Sequence, residues 1–256
     1  MVVINDYNAY SSGMKKSIKD KLFFEGLVEH VDTIIDFGCA DGQVLKQLHE
    51  DFPEWKLFGI DADQTMLNLA KHNCNNAEYI CAKGIPVDKI KNSLSNVLLN
   101  LSSVVHEVYS YSGLDEISRF WENVFACGCK YIAIRDLMLS IESDRASNIN
   151  DMIGVLTNSQ SDVLREFTSL WGSIKSQKNL LHYLMKYRYK ENWNREVREN
   201  YFPITVEQLL SMIPTDKYRI VYFSHYILPF NRNKILEDFG IELKDNTHVK
   251  ILLERK

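Results

Sequence analysis

The stretch Thr33-Ile34-Ile35-Asp36-Phe37-Gly38-Cys39-Ala40-Asp41-Gly42 limits the possible folds more than any other part of the chain. A short β-branched run that stops at a glycine reads as a buried parallel strand. Val44, Leu45 and Leu48 then recur at helical spacing up to Pro53, so the unit is strand, glycine loop, helix. The pattern repeats. Residues 56–60 form a second strand ending at Asp61, and Met66, Leu67, Leu69 and Ala70 mark a helix. Residues 77–82, 96–101 and 131–134 read as the third, fourth and fifth strands, with a helix over 114–125 carrying Ile117, Phe120, Trp121 and Val124. Repeated β-α units imply a parallel sheet covered by helices on both faces.

The rest of the chain departs from this rhythm. Residues 13–30 approximate an amphipathic helix, with Met14, Ile18, Leu22 and Leu27 on one face and Lys15, Lys16, Lys19 and Lys21 between them. Residues 137–203 are polar and helical in character, ending at Pro203. A helix with Val206, Leu209, Leu210 and Met212 follows, then strands over 218–228 and 248–253 joined by a linker. The expected domains are 1–136 (N-terminal cap helix and main part of a cofactor domain), 137–203 (a helical insertion serving as substrate lid) and 204–256 (the remainder of the cofactor domain).

Glycines between a strand and a helix let a ligand approach the backbone, and the helix N-terminus presents unpaired N–H groups. Such a loop fits a nucleoside at the carboxyl end of a sheet. The dinucleotide pattern G-x-G-x-x-G would need glycine where Ala40 and Gln43 stand, which disfavours a nicotinamide-dependent oxidoreductase. A loop flanked by Asp36 and Asp41 suits a positively charged ligand, and S-adenosylmethionine carries a sulfonium and an ammonium. Asp61, 20 residues beyond Asp41, stands where an acid accepts hydrogen bonds from ribose hydroxyls. Its other reading is a cap for the helix containing Met66.

These residues, Ile35-Asp36-Phe37-Gly38-Cys39-Ala40-Asp41-Gly42 and Gly59-Ile60-Asp61-Ala62-Asp63, resemble the class I S-adenosylmethionine-dependent methyltransferases, a Rossmann-like family. The resemblance implies an α/β fold: a seven-stranded, mostly parallel sheet with helices on both faces and an antiparallel last strand, here with a helical insertion after the fifth strand. It implies that Asp36, Gly38, Ala40 and Gly42 line the loop under the methionine portion, that Asp61 binds the ribose and that Ala62 packs beside the adenine. Ala82 and Lys83 fall at the adenine edge. Asn100, Leu101 and Ser102 fall at the methionine end, and Tyr7 and Tyr10 in a segment folded over the cofactor. Ala40 replaces the family's middle glycine, a departure expected only to narrow the loop slightly.

Methyl transfer needs an aligned acceptor and, for a protic one, removal of a proton. Residues 100–111 follow the fourth strand and lack the [DN]-P-P-[YF] pattern of amino-methylating nucleic-acid enzymes. His106 is the candidate general base, because its intrinsic pKa is near working pH; its other reading is a packed, backbone-satisfied ring. Glu107 is a second candidate, but neighbours on a helix diverge by about 100° and do not form a simple dyad. Tyr109 and Tyr111 are candidates for lining an acceptor pocket. Arg135, beside Asp136, could hold an acceptor's polar group or tie the insertion to the sheet. Residues 175–198 hold seven basic and two acidic residues with interleaved aromatics. Lys186 and Arg188 there are expected to face outward or over the cleft and to recruit an anionic acceptor.

Composition excludes other classes. The 45% hydrophobic content rules out a disordered chain, and the net charge of −4 supplies no global positive field for nucleic acid. No segment reaches the roughly 18 apolar residues of a membrane span. Met1 to Asp6 lack the features of a signal peptide. The five cysteines have no CxxC spacing, so reduced thiols in a cytoplasm are expected, with no metal site. A small-molecule acceptor is the favoured partner. Methylation of RNA or protein through the basic insertion, or a non-catalytic cofactor-binding subunit, are the alternatives.

Overall fold

A computed structural model describes residues 4, 6, 17–86 and 96–256. The described elements are α1 (Ile18–Lys21), β1 (Thr33–Phe37), α2 (Gln43–Asp51), β2 (Lys56–Asp61), α3 (Gln64–Asn73), β3 (Glu78–Cys81), β4 (Val97–Ser102), α4 (Val105–Tyr111), α5 (Leu114–Ala126) and β5 (Tyr131–Leu137). They continue with α6 (Ile149–Asn158), α7 (Ser161–Trp171), α8 (Gln177–Lys186), α9 (Trp193–Glu196), α10 (Val206–Met212), β6 (Tyr218–Tyr226), α11 (Pro229–Phe239) and β7 (His248–Arg255). Two short 3-10 turns lie at Ile141–Ser143 and Lys190–Asn192.

The strands form one seven-stranded sheet in the order β3-β2-β1-β4-β5-β7-β6. The strands β1 to β5 pair in parallel, and β7 runs antiparallel to both neighbours. Every residue of β1 and β4 is buried, as expected of central strands covered on both faces. Register places Asp36 beside Gly59 on one side and Asn100 on the other. The order reverses at β1 and β4, so their carboxyl ends flank the topological switch point where ligands of open α/β sheets bind.

The chain divides into two compact units. The sheet unit comprises residues 7–136, 213–224 and 250–256, and the helical unit residues 1–6, 137–212 and 225–249. The sheet unit packs Ile34, Val44, Leu45, Leu48, Leu67 and Leu98 into one core. The helical unit has its own core, built around Val155, Phe167, Leu184, Val197, Phe202 and Phe239.

Three expectations need correction. The helix expected over 13–30 is only the four-residue α1 among the described residues, and Leu22 to Leu27 continue it as turns. Lys21, expected among the lysines between that helix's apolar positions, is buried. The linker between the last two strands is the helix α11, which opens with Pro229 and ends at Gly240 in the left-handed conformation. Proline at the first helical turn and glycine just past the last are the standard signals for such a helix.

Candidate active site

The loop from Gly38 to Gly42 owes its path to backbone geometry. Three of its residues lie in the left-handed region: Gly38 at φ 77°, Ala40 at 46° and Gly42 at 76°. A Cβ on Gly38 would sit 2.5 Å from Cγ2 of Val104, and one on Gly42 would sit 3.0 Å from Cβ of Ala70. Ala40 does more than narrow the loop. It forces a residue with a Cβ into a conformation that costs about 1 kcal/mol or more.

Asp61 holds the loop in this shape. Its Oδ2 accepts from the Ala40 N–H at 2.9 Å, and its Oδ1 accepts from the Asp63 N–H at 2.9 Å. The cap of α3 is Asp63, whose Oδ1 accepts from the N–H groups of Thr65 and Met66. Asp61 is therefore not that helix's cap. Burial raises its pKa, while bonds from the Asp63 and Ala40 amides pull it back. Each carboxylate oxygen keeps a second lone pair for a further donor.

Asp36 lies at the carboxyl end of β1, 3% exposed, and its Oδ1 accepts from Asn100 Nδ2 at 2.8 Å. Burial pushes its pKa up to about 6, against the pull of Asn100 and Lys21. Three buried polar atoms nearby have no protein partner among the described residues: Asp41 Oδ1, Asn100 Oδ1 and Ser102 Oγ. Two of these are acceptors only, so the ligand that satisfies them brings N–H or O–H donors. Leu101 is fully buried. Ala62 and Lys83 are exposed after β2 and β3, and the Ala82 N–H donates to the Asp61 carbonyl at 2.9 Å. Tyr7 and Tyr10 lie outside the described residues.

The helix α4 starts at the rim beside β4. Val104 stands at its N-cap and offers no side-chain oxygen, so Asp136 from β5 supplies the cap. Asp136 Oδ2 accepts from the N–H groups of Val105 (2.7 Å) and His106 (3.2 Å), and Oδ1 lies 2.6 Å from His106 Nδ1. His106 is 6% exposed, and Glu107 beside it is half-buried. The ring of His106 is thus held by a carboxylate. Tyr109 accepts from Trp121 Nε1 of α5 at 3.0 Å, and Tyr111 is exposed.

Arg135 Nε donates to Asp20 Oδ2 at 2.8 Å, and one terminal nitrogen donates to Ser103 Oγ at 2.8 Å, which ties α1 to the ends of β4 and β5. Lys250 Nζ adds a 2.6 Å contact with the other Asp20 oxygen. The buried Lys21 has its pKa lowered to about 8, first by burial and then by Arg135, while Asp36, Asp136 and Glu107 attract its charge. Sequence reading missed Lys21, because it stands in a lysine-rich run with nothing to distinguish it.

Lys186 and Arg188 belong to the helical unit and do not face outward as expected. Lys186 is fully buried, donates to the carbonyls of Glu196 and Glu199, and lies over the rings of Trp171 and Tyr201. Burial lowers its pKa to about 7. Arg188 donates to Asn231 Oδ1 at 2.9 Å and stacks over Phe230. Arg195 is buried against Glu199. A positive charge in this sequence window is thus often a packing element, with its stem among aromatics and its head on carbonyl or carboxylate oxygens.

Residues 34–122 match the family model described as "Methyltransferase domain". This part of the chain, which holds β1 to β4 and the loop after β1, is thus similar to a methyltransferase domain. No curated protein matches the chain in sequence. Among solved structures, the chain is similar to a SAM-dependent methyltransferase from Anabaena variabilis, at TM-score 0.52 and 14% identity over 100% of this chain and 98% of that one. It is also similar to the plantazolicin methyltransferase BamL, solved with a triazolic desmethylPZN analogue and SAH, at TM-score 0.51 and 14% identity over 97% of this chain and 88% of that one. At these identities the likeness establishes the fold. No helix among the described residues is long and apolar enough to cross a membrane.

If Asp61 accepts from a ribose as the resemblance implies, Asp61→Ala should weaken S-adenosylhomocysteine binding by about 10- to 100-fold, the loss of one or two charge-assisted bonds worth about 1.5–3 kcal/mol each. Titration calorimetry reads this directly, and an unchanged affinity would remove Asp61 from the ribose role.

Proposed function

We propose that this protein is an S-adenosylmethionine-dependent methyltransferase acting on a small-molecule acceptor. The observation that carries the reading is the set of buried polar atoms with no partner among the described residues (Asp41 Oδ1, Asn100 Oδ1, Ser102 Oγ) beside a left-handed glycine loop lined by acids. The cationic, donor-rich methionine end of the cofactor matches that chemistry. Asp61 would accept the ribose hydroxyls, Asp36 and Asp41 would face the positive end, and Ala62 with Ala82 would flank the adenine. Lys83 is exposed and contributes at most an edge.

The bound cofactor supplies an electrophilic methyl group on a good leaving group. The protein's own work is to align the acceptor, exclude water and take up a proton. His106 is the proposed general base, with the half-buried Glu107 next to the Lys21 charge as an electrostatic neighbour. The burial of Lys186 and Arg195 removes two charges from the basic stretch, which supports a small acceptor over RNA. All five cysteines are free thiols, which fits the proposed cytoplasmic setting.

Calorimetry with S-adenosylmethionine, S-adenosylhomocysteine and NAD tests the cofactor reading. Binding of the first two at micromolar levels and none of NAD is expected; the reverse preference would sink it. A label-transfer screen with tritiated cofactor against metabolite and RNA pools then identifies the acceptor class. With that acceptor, His106→Ala should lower turnover by about 10- to 100-fold with S-adenosylhomocysteine affinity unchanged. Equal turnover of variant and parent would return His106 to packing.

A further inference from the structure

Two cysteines meet across a single glycine at the end of α5. Cys127 is the C-cap of that helix, at φ −60° and ψ −26°, and Gly128 follows in the left-handed conformation at φ 72°. The turn brings the Cys129 N–H to Cys127 Sγ, which accepts from it at 3.3 Å. The Cys129 thiol and the Tyr218 hydroxyl bond the same sulfur, and that hydroxyl also lies 3.4 Å from the Cys129 carbonyl oxygen. Arg255 Nη1 donates to the Gly128 carbonyl at 2.5 Å, which sets a positive charge beside the turn. A neutral sulfur is a weak acceptor, so three donors and a guanidinium around one sulfur suit a thiolate. The bond from the Cys129 thiol does most to hold the Cys127 thiol below its ordinary pKa, against the effect of burial. The same bond, followed by burial, raises the Cys129 thiol. Both cysteines are buried, but Gly128 between them is half-buried and the flanking Ala126 and Arg255 are exposed. The pair therefore lies just beneath the surface, within reach of a small reagent.

We propose that Cys127 and Cys129 are a redox-active dithiol, in which a hydroperoxide oxidises Cys127 and Cys129 then closes a disulfide. In the first step the Cys127 thiolate attacks the terminal peroxide oxygen. A sulfur–oxygen bond forms, the oxygen–oxygen bond breaks, and the departing oxygen takes up a proton. Cys127 is then a sulfenic acid. In the second step the Cys129 sulfur attacks the Cys127 sulfur. The Cys129 thiol gives up its proton, the sulfur–oxygen bond breaks, and water leaves. The peroxide has gained the two electrons that the two thiols lost. A disulfide across one intervening residue closes a small, strained ring, and strained disulfides are the easily reduced ones. The bridge is thus a reversible modification that a thiol reductant removes, not a structural staple.

The test treats the full, folded chain with hydrogen peroxide at neutral pH, alkylates the remaining thiols and maps them by mass spectrometry. Residues 120–130 form one tryptic peptide that holds both cysteines and no other. That peptide should become lighter by two hydrogen atoms and resist alkylation, and dithiothreitol should restore it. The change should run at least about tenfold faster than oxidation of Cys81, the exposed thiol. In Cys129→Ser the reaction should stop at the Cys127 sulfenic acid, read as its adduct with dimedone. A parent peptide that stays fully alkylated after Cys81 has been oxidised overturns the proposal. So does closure that appears only in urea, which would make the pair a packing element, and so does a folded Cys129→Ser protein without the dimedone adduct. If that variant fails to fold, the parent peptide decides alone.

Discussion

Gly38→Ala should destabilise the protein by about 3 kcal/mol or more and lower S-adenosylhomocysteine affinity by more than about 100-fold. Two costs add. The residue sits at φ 77°, where a side chain costs about 1–2 kcal/mol. The new Cβ would also lie 2.5 Å from Val104 Cγ2 and 2.9 Å from Val104 Cβ. Rotating Val104 relieves only the first clash, because Cβ does not move with the rotamer. The backbone at Val104 must shift instead, and it leads straight into α4, whose first turn is held by Asp136. The strain therefore reaches the donor loop and the His106 side of the site together. Val104→Ala in the same chain should recover about 1 kcal/mol by removing the methyl carbons. Gly84→Ala is the matched control, since nothing lies within 4 Å of a Cβ there. Urea denaturation and calorimetry read both quantities. A Gly38→Ala protein within about 1 kcal/mol and tenfold of the parent would show that the loop does not depend on this close approach.

How far the sequence anticipates this site depends on which physical signal each residue carries. The loop and its acids are visible because strand, glycine turn and helix follow one another locally, and each leaves a short-range mark. Asp61 is visible as an acid at a strand end, but its competing role as a helix cap is settled only by seeing Asp63 take the Thr65 and Met66 amides. The ligand of His106 is less visible. Asp136 stands 30 residues away, and only the parallel pairing of β4 with β5 brings the two together. Lys21 and Lys186 are misread for a common reason. A basic residue is assigned to solvent by default, yet burial becomes tolerable once carboxylates, carbonyls or ring faces surround the charge. The helix α11 is a different lesson. Its Pro229 and Gly240 are local signals, but they stand between two strands, where a linker is the simpler reading.

Asp36→Asn should make the protein without ligand more stable at pH 7, by as much as about 3 kcal/mol, while weakening the methyl donor. Burial raises the Asp36 pKa from 3.8 to about 6. The sign follows from proton counting. Between those two values the folded state holds a proton that the unfolded state has released, so stability falls as pH rises from 4 to 6 and the full cost persists above 6. An asparagine carries no such cost and still offers an oxygen to Asn100 Nδ2. Parent and variant should therefore be close in stability at pH 4 and diverge by pH 6, as read by urea denaturation across that range. The charge that destabilises the protein without ligand is the one proposed to face a cationic ligand. Donor affinity of the parent should accordingly rise between pH 5 and 7, and the variant should lose about tenfold or more at pH 7 with a flatter profile. A variant less stable than the parent at every pH would mean that the Asp36 charge is already compensated by Lys21 and Asn100. In that case a cationic ligand would gain little from it, and the loop would owe its affinity to Asp41 and Asp61 instead.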